Sequence, residues 1–163
     1  VPPLQRPNMY DNSIRVPTAI RWPGVIPPGT VVEETVSNLD FYPTLLEMAN
    51  APRPADTVLR GNSIVPILKG ESADWDNDFY AEYSTRHQSR THMRMYRTPQ
   101  WKLVRDFLNP ERDELYNLES DPAETTNLIH EDSPEIKQVI ESLHAKIVDN
   151  MREINDPVLS MAR

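Results

Sequence analysis

No cysteine occurs among the 163 residues. Disulfides, thiolate metal sites and a cysteine nucleophile are thereby excluded from this chain. Glycine is scarce, with 4 residues against 16 prolines. A chain so poor in its most permissive residue and so rich in its most restrictive one is predicted to run through short elements joined by rigid connections. No stretch approaches the ~20 apolar residues that span a bilayer. The N-terminus lacks the pattern of a signal peptide, and there is no internal repeat or low-complexity tract. Basic residues are outnumbered as well: Lys and Arg total 17 against 25 Asp and Glu, a net charge of −8 with a pI near 5.0. That balance argues against general nucleic-acid binding.

With 38% hydrophobic and 26% charged residues, the composition suits a globular protein of one domain, or a small domain plus an arm. The charge is segregated along the chain. Residues 86–105 carry Arg86, Arg90, Arg94, Arg97, Lys102 and Arg105 with His87 and His92 and no acid, whereas residues 113–135 carry eight acids and neither Lys nor Arg. Such a basic stretch faces either an anionic ligand or the acidic segment of its own chain.

Periodicity supplies the elements. Residues 14–22 (IRVPTAIRW) form an apolar-rich run that stops at Pro23-Gly24 and predicts a strand. No partner follows nearby, so this strand is expected to belong to a sheet outside the chain, and an unpaired strand invites self-association through the N-terminal arm. Ser37 and Asp40 form a capping pattern ahead of Leu39, Tyr42, Leu45, Leu46 and Ala49 at helical spacing, with Pro43 positioned to bend the helix. A short helix is predicted at residues 64–69. From Phe79 the period changes to two, and four short runs reaching residue 118 read as an antiparallel meander. Ser133-Pro134 opens a last helix whose stripe of Ile136, Val139, Ile140, Leu143, Ile147 and Met151 is expected to cover the meander. Burying these six side chains amounts to roughly 10 kcal/mol gross.

Four pieces in order resemble the C-terminal part of the sulfatases: RPNMYD (6–11) with IRVP (14–17) and RWPG (21–24); VSNLDFYPTLL (36–46); YRT (96–98) leading to WKLV (101–104); and DELYNL (113–118) with DPAE (121–124) and NL (127–128). The resemblance implies an α+β fold: a four-stranded antiparallel sheet with a packed C-terminal helix, preceded by an arm (strand plus helix) from an alkaline phosphatase-like α/β domain. Residues 1–76 would then be the end of that α/β domain, 77–155 the C-terminal subdomain and 156–163 a tail. It further implies hydrolysis of sulfate esters, in a periplasmic or extracellular setting, by a formylglycine made from a Cys/Ser-x-Pro-x-Arg motif, with calcium held by aspartates. This chain has no such motif and no Asp-Asp pair, so on its own it is expected to be inactive and to need an N-terminal sulfatase domain as partner.

Within the resemblance, Arg6 stands where the family places a sulfate-touching lysine. An arginine fork can bind sulfate in bidentate fashion but does not readily exchange a proton. Arg86, His87, Arg90 and His92 are candidates for the wall of the substrate cleft, facing a sulfated, anionic small molecule or glycan. Two histidines without nearby acids fall short of a zinc site. Met93, Met95 and Tyr116 read as core, and Asp121 as a turn aspartate bonding its own backbone. Two other functions fit the same residues: a phosphodiesterase or phosphonate hydrolase of the same superfamily, and a non-catalytic module that binds anionic glycans or takes part in assembly.

Overall fold

The structure, a computed structural model, describes residues 7–71, 74–86 and 90–161. They divide into two compact units: Pro17–Asn77, and a second unit combining the residues up to Val16 with those from Asp78 onward. Residues 7–16 therefore fold with the sheet, whose first strand begins at Phe79, rather than with the residues that directly follow them.

The sheet unit begins with a single helical turn, α1 (Asp11–Ile14). Its four strands are β1 (Phe79–Arg86), β2 (Arg90–Arg97), β3 (Trp101–Asp106) and β4 (Glu114–Asn117), paired antiparallel in the order β1-β2-β3-β4. Sequence order equals spatial order, as in a meander. At the β2–β3 turn the Thr98 N–H donates to the Trp101 carbonyl at 2.8 Å, and the Trp101 N–H returns a bond to the Thr98 hydroxyl at 2.9 Å.

The period-two alternation sends side chains to two faces. On one face Tyr96, Leu103 and Leu115 pack with the long C-terminal helix Pro134–Glu153 through its Ile136, Leu143, Ile147 and Met151, all buried. Ser133 caps this helix by accepting from the Ile136 N–H at 3.2 Å, and Pro134 occupies the first turn, where no N–H is needed. On the other face Met93, Met95 and Val104 pack with Met9, and Ile14 lies against the same cluster. The meander, the helix and the core methionines thus follow the sequence reading.

Two expectations are corrected. Residues 14–22 contain no strand: after α1 the chain is irregular, and Val16 is 76% exposed. Pro17 offers no N–H to a ladder and no neighbouring strand is paired with the segment, so pattern alone does not produce one. The route to self-association by strand exchange has no strand to use among the described residues. Residues 156–161, expected as part of a tail, fold onto the sheet unit. They form the 3-10 turn Pro157–Met161, with Asp156 and Val158 buried.

In the Pro17–Asn77 unit, a 3-10 turn (Asn38–Asp40) leads into α2 (Phe41–Met48), and α3 (Val65–Leu68) follows the connecting loop. The Ser37 hydroxyl accepts from the Leu39 N–H at 3.2 Å, and the Asp40 carboxylate accepts from the Ser37 N–H at 2.7 Å. Pro43 falls in the first turn of α2, where its missing donor costs nothing, so it starts the helix rather than bending it. Asp40 also accepts from the Asn62 N–H at 2.8 Å. Beside that contact Gly61 lies so close to Leu39 that a Cβ would stand 2.2 Å from the Leu39 carbonyl oxygen, so only glycine fits.

Candidate functional site

The basic stretch proves to be divided in its use. Four of its six cations are matched to acids of the same unit. The Arg94 guanidinium pairs with Asp156 through two bonds, the longer at 3.0 Å, with both side chains almost fully buried. Arg105 meets Asp113 at 3.2 Å, Arg97 meets Asp11 at 3.6 Å, and Lys102 meets Asp11 and Glu124. For these four, the reading that the stretch faces acids of its own chain holds.

The two remaining cations are Arg86 and Arg90. They face each other in register as the last pair of the β1–β2 ladder, beside the connection between the two strands, both exposed, and neither has an ion pair among the described residues. Like charges directly opposite on a sheet repel. His92 lies two pairs inward, opposite Ser84, with its Nδ1 3.0 Å from the Ser84 hydroxyl. Arg94 also donates to that hydroxyl, at 3.1 Å. Arg86, Arg90 and His92 therefore share one face of one hairpin, as their spacing implies. Arg6 and His87 lie outside the described residues.

The second charged constellation was not read from the sequence. Lys102, the second residue of β3, is fully buried on the arm side of the sheet. Its ammonium donates to the Glu124 carboxylate at 2.6 Å, to the Met9 carbonyl at 3.2 Å and to the Asp11 carboxylate. The other oxygen of Glu124 accepts from the Asp11 N–H at 2.7 Å. Glu114 stands nearby and takes a bond from the Tyr10 hydroxyl at 3.3 Å. Burial raises the Glu114 pKa, with the Tyr10 bond opposing and the Glu124 charge reinforcing the shift. Tyr116 packs its ring 6.0 Å from that of Tyr10, and its hydroxyl is pushed up strongly, chiefly by burial. A lysine flanked by Trp101, Leu103 and Val104 was the available signal, since an ammonium on a covered strand requires buried acids.

A third polar centre holds the β3–β4 turn. Asp106 accepts from the Thr91 hydroxyl, from the His92, Leu108 and Asn109 N–H groups and from the Asn109 side chain. Burial works against its ionisation, but these donors win and its pKa is lowered. Asp121 behaves as its turn position predicted. It accepts from the Thr125 and Thr126 N–H groups at 2.8 Å each, and its pKa is lowered although desolvation opposes the shift.

No group of three or more His, Asp or Glu residues that could hold a metal ion occurs among the described residues. Where Asp11 and Glu124 converge, the Lys102 ammonium already fills the space between them. No helix among the described residues is long and apolar enough to cross a membrane.

A four-stranded antiparallel sheet with a packed C-terminal helix is what the resemblance to the sulfatases implies, and comparison with known proteins agrees. Residues 5–153 match the family described as N-sulphoglucosamine sulphohydrolase, C-terminal, and the chain belongs to that family. It is 36% identical over 139 residues to a sulfatase of Formosa agariphila, covering 78% of this chain and 25% of that protein. It is 30% identical over 162 residues to the N-acetylglucosamine-6-O-sulfatase of Bacteroides thetaiotaomicron, covering 93% of this chain and 28% of the relative. Among solved structures, BT4656 in complex with its substrate D-glucosamine-2-N,6-O-disulfate superposes with a TM-score of 0.65 at 27% identity, over 85% of this chain and 28% of the other. The chain thus corresponds to the C-terminal portion of a sulfatase and spans little more than a quarter of the length of these relatives.

Proposed function

We propose that this chain is the C-terminal part of a sulfuric ester hydrolase acting on a sulfated carbohydrate or aryl sulfate, in which an N-terminal portion supplies the formylglycine nucleophile and the calcium site. The observation that carries this reading is the match to N-acetylglucosamine-6-O-sulfatase along 93% of the chain. That formylglycine residue, as its aldehyde hydrate, would supply the attacking oxygen. This chain's part is to recognise the anion and to hold the arm that reaches it. Arg6 is the proposed sulfate contact, and Arg86, His87, Arg90 and His92 the proposed cleft wall, where a second anionic group of the substrate offsets the repulsion between the two facing arginines.

The Pro17–Asn77 unit supports the need for a larger protein. Leu39, Tyr42 and Leu45 are 55%, 49% and 58% exposed. An apolar helix face of this kind suits burial against the N-terminal portion. A periplasmic or extracellular location belongs to the same proposal.

The test is sulfate release by the full-length polypeptide from 4-nitrophenyl sulfate and from 6-O-sulfated N-acetylglucosamine. Release by the full-length protein and none by the isolated chain is expected. A full-length protein that cleaves a phosphodiester and spares both sulfate esters establishes the phosphodiesterase reading instead. The facing arginines also favour the anionic-glycan-binding reading. It prevails if the isolated chain binds heparin with an affinity that Arg86→Glu abolishes while the full-length protein hydrolyses neither ester.

A further inference from the structure

Beyond the proposed sulfate contact, one arrangement lacks a role. Within the sheet unit, Lys102, Glu124 and Arg112 reach to the arm and bind its backbone. Arg112 donates to the Pro7 carbonyl at 2.6 Å, Lys102 to the Met9 carbonyl at 3.2 Å, and Glu124 accepts from the Asp11 N–H at 2.7 Å. Three alternate residues of the arm are thus held by main-chain atoms, which fixes the path of the chain whatever its side chains do.

Two features show that these contacts are specific. First, Lys102 has no exposure at all. A buried ammonium is expensive to desolvate, and an apolar residue of similar volume generally serves stability as well or better. Stability alone therefore does not account for a lysine at this place in β3. Second, Glu124 adopts a left-handed backbone conformation with φ of 55°. The other two non-glycine residues with positive φ among the described residues are asparagines, Asn50 and Asn155, which tolerate that region. A glutamate there is strained, and what it gains is a carboxylate bridging the Lys102 ammonium and the Asp11 N–H at once.

We infer that Lys102, Glu124 and Asp11 form a buried ionic latch that sets the path of the arm, and that Lys102 and Glu124 are positioning residues for the side chain at position 6. The inference rests on the reading of Arg6 as the sulfate contact. Arg6 is bonded directly to Pro7, the first of the three anchored residues. A guanidinium that must meet a sulfate oxygen within hydrogen-bond range is sensitive to displacements of an ångström, and misplacement on that scale costs on the order of 100-fold in rate.

The experiment uses the full-length polypeptide with 4-nitrophenyl sulfate as the probe and compares Asp11→Asn, Glu124→Gln, Arg6→Ala and the Arg6→Ala/Asp11→Asn pair. Asp11→Asn is the safeguard against misfolding: its side chain is 22% exposed, and it leaves the Lys102–Glu124 pair in place. Two results are expected. Backbone amides of residues 9–16 lose hydrogen-exchange protection in both latch variants while those of β2 and β3 keep it. The latch variants also lower kcat on the order of 10- to 100-fold, and Asp11→Asn adds no comparable loss in the Arg6→Ala background, because the residue being positioned is gone.

Full multiplication of the two losses overturns the inference, as does a kcat that survives a visibly loosened arm. Arg6→Ala with wild-type kinetics refutes the Arg6 reading and the positioning role together. Hydrogen exchange then still decides whether the latch holds the arm. An unchanged arm in both latch variants removes the latch itself.

Discussion

The two faces of the sheet are covered by opposite strategies. The helix face is sealed by a 20-residue amphipathic helix whose buried positions recur at helical spacing. The arm face is sealed by a few residues, Met9 and Ile14 among them, and gains the rest of its closure from charges. Each face contains one buried cation. On the helix side Arg94 has a single acid, Asp156, with 1% of its side chain exposed; on the arm side Lys102 shares two acids, one of which, Asp11, is 22% exposed. The helix side is a closed pair, whereas the arm side is an open one that grips a separate piece of chain. Apolar burial suffices where a long element lies flat on the sheet. A short arm with little apolar surface needs directional bonds to acquire one position.

The comparison can be broken most severely at Asp156. Asp156→Ala leaves the Arg94 guanidinium buried and unpaired, and a loss of about 3–5 kcal/mol in urea unfolding is expected. Leu143→Ala, in the helix seam, is expected to cost about 2–5 kcal/mol by leaving a cavity. Asp11→Asn on the open arm side is expected to cost only about 1 kcal/mol, and an effect as large as that of Asp156→Ala would erase the distinction between the faces.

Acid should act first on the acids whose ionised form the fold holds. Burial opposes ionisation of Asp156 and Asp106, yet Arg94 and the Val158 N–H, and the donors around Asp106, lower both pKa values. A lowered folded pKa contributes stability above the unfolded value, near 3.8, that disappears as pH falls through the folded pKa. A midpoint for urea unfolding that declines below about pH 4, and less steeply in Asp106→Asn, checks this.

Glu114 should show the smallest effect and the opposite sign. Its pKa is raised, mainly by burial, so its contribution is favourable below the unfolded value of 4.5 and is lost as pH rises through the folded pKa. Glu114→Gln, which can still accept from Tyr10, is expected to raise Tm slightly at pH 8 and not at pH 4. A Tm unchanged at pH 8 would show that the carboxylate is relieved by its neighbours.

What the sequence made legible follows from the range over which each signal acts. The meander, the Ser133 cap and the helix stripe are written in residues two to four apart, and the structure places them where periodicity predicts. The run at 14–22 misled because a strand requires a partner, and its alternation cannot say whether one is present. Asp156 was unreadable because its meaning lies in Arg94, 62 positions away. The candidate hairpin, with Arg86, Arg90 and His92, was legible from a local cluster of charge. The latch was not, although Asp11, Lys102 and Glu124 each lie in a motif that carried the family resemblance. Their convergence depends on chain crossings that no spacing rule encodes.

The arm also imposes an order on folding. Asp11 and Glu124, joined by a hydrogen bond, are 113 positions apart. Closing so long a loop adds little to the entropy cost compared with one half its length, about 0.6 kcal/mol, so the difficulty is one of timing. On a ribosome adding about 5–20 residues per second, the arm emerges on the order of ten seconds before the glutamate that will hold it. Through that interval Met9 and Ile14 have no sheet on which to settle, and the docking of the arm must wait for a segment made long after it.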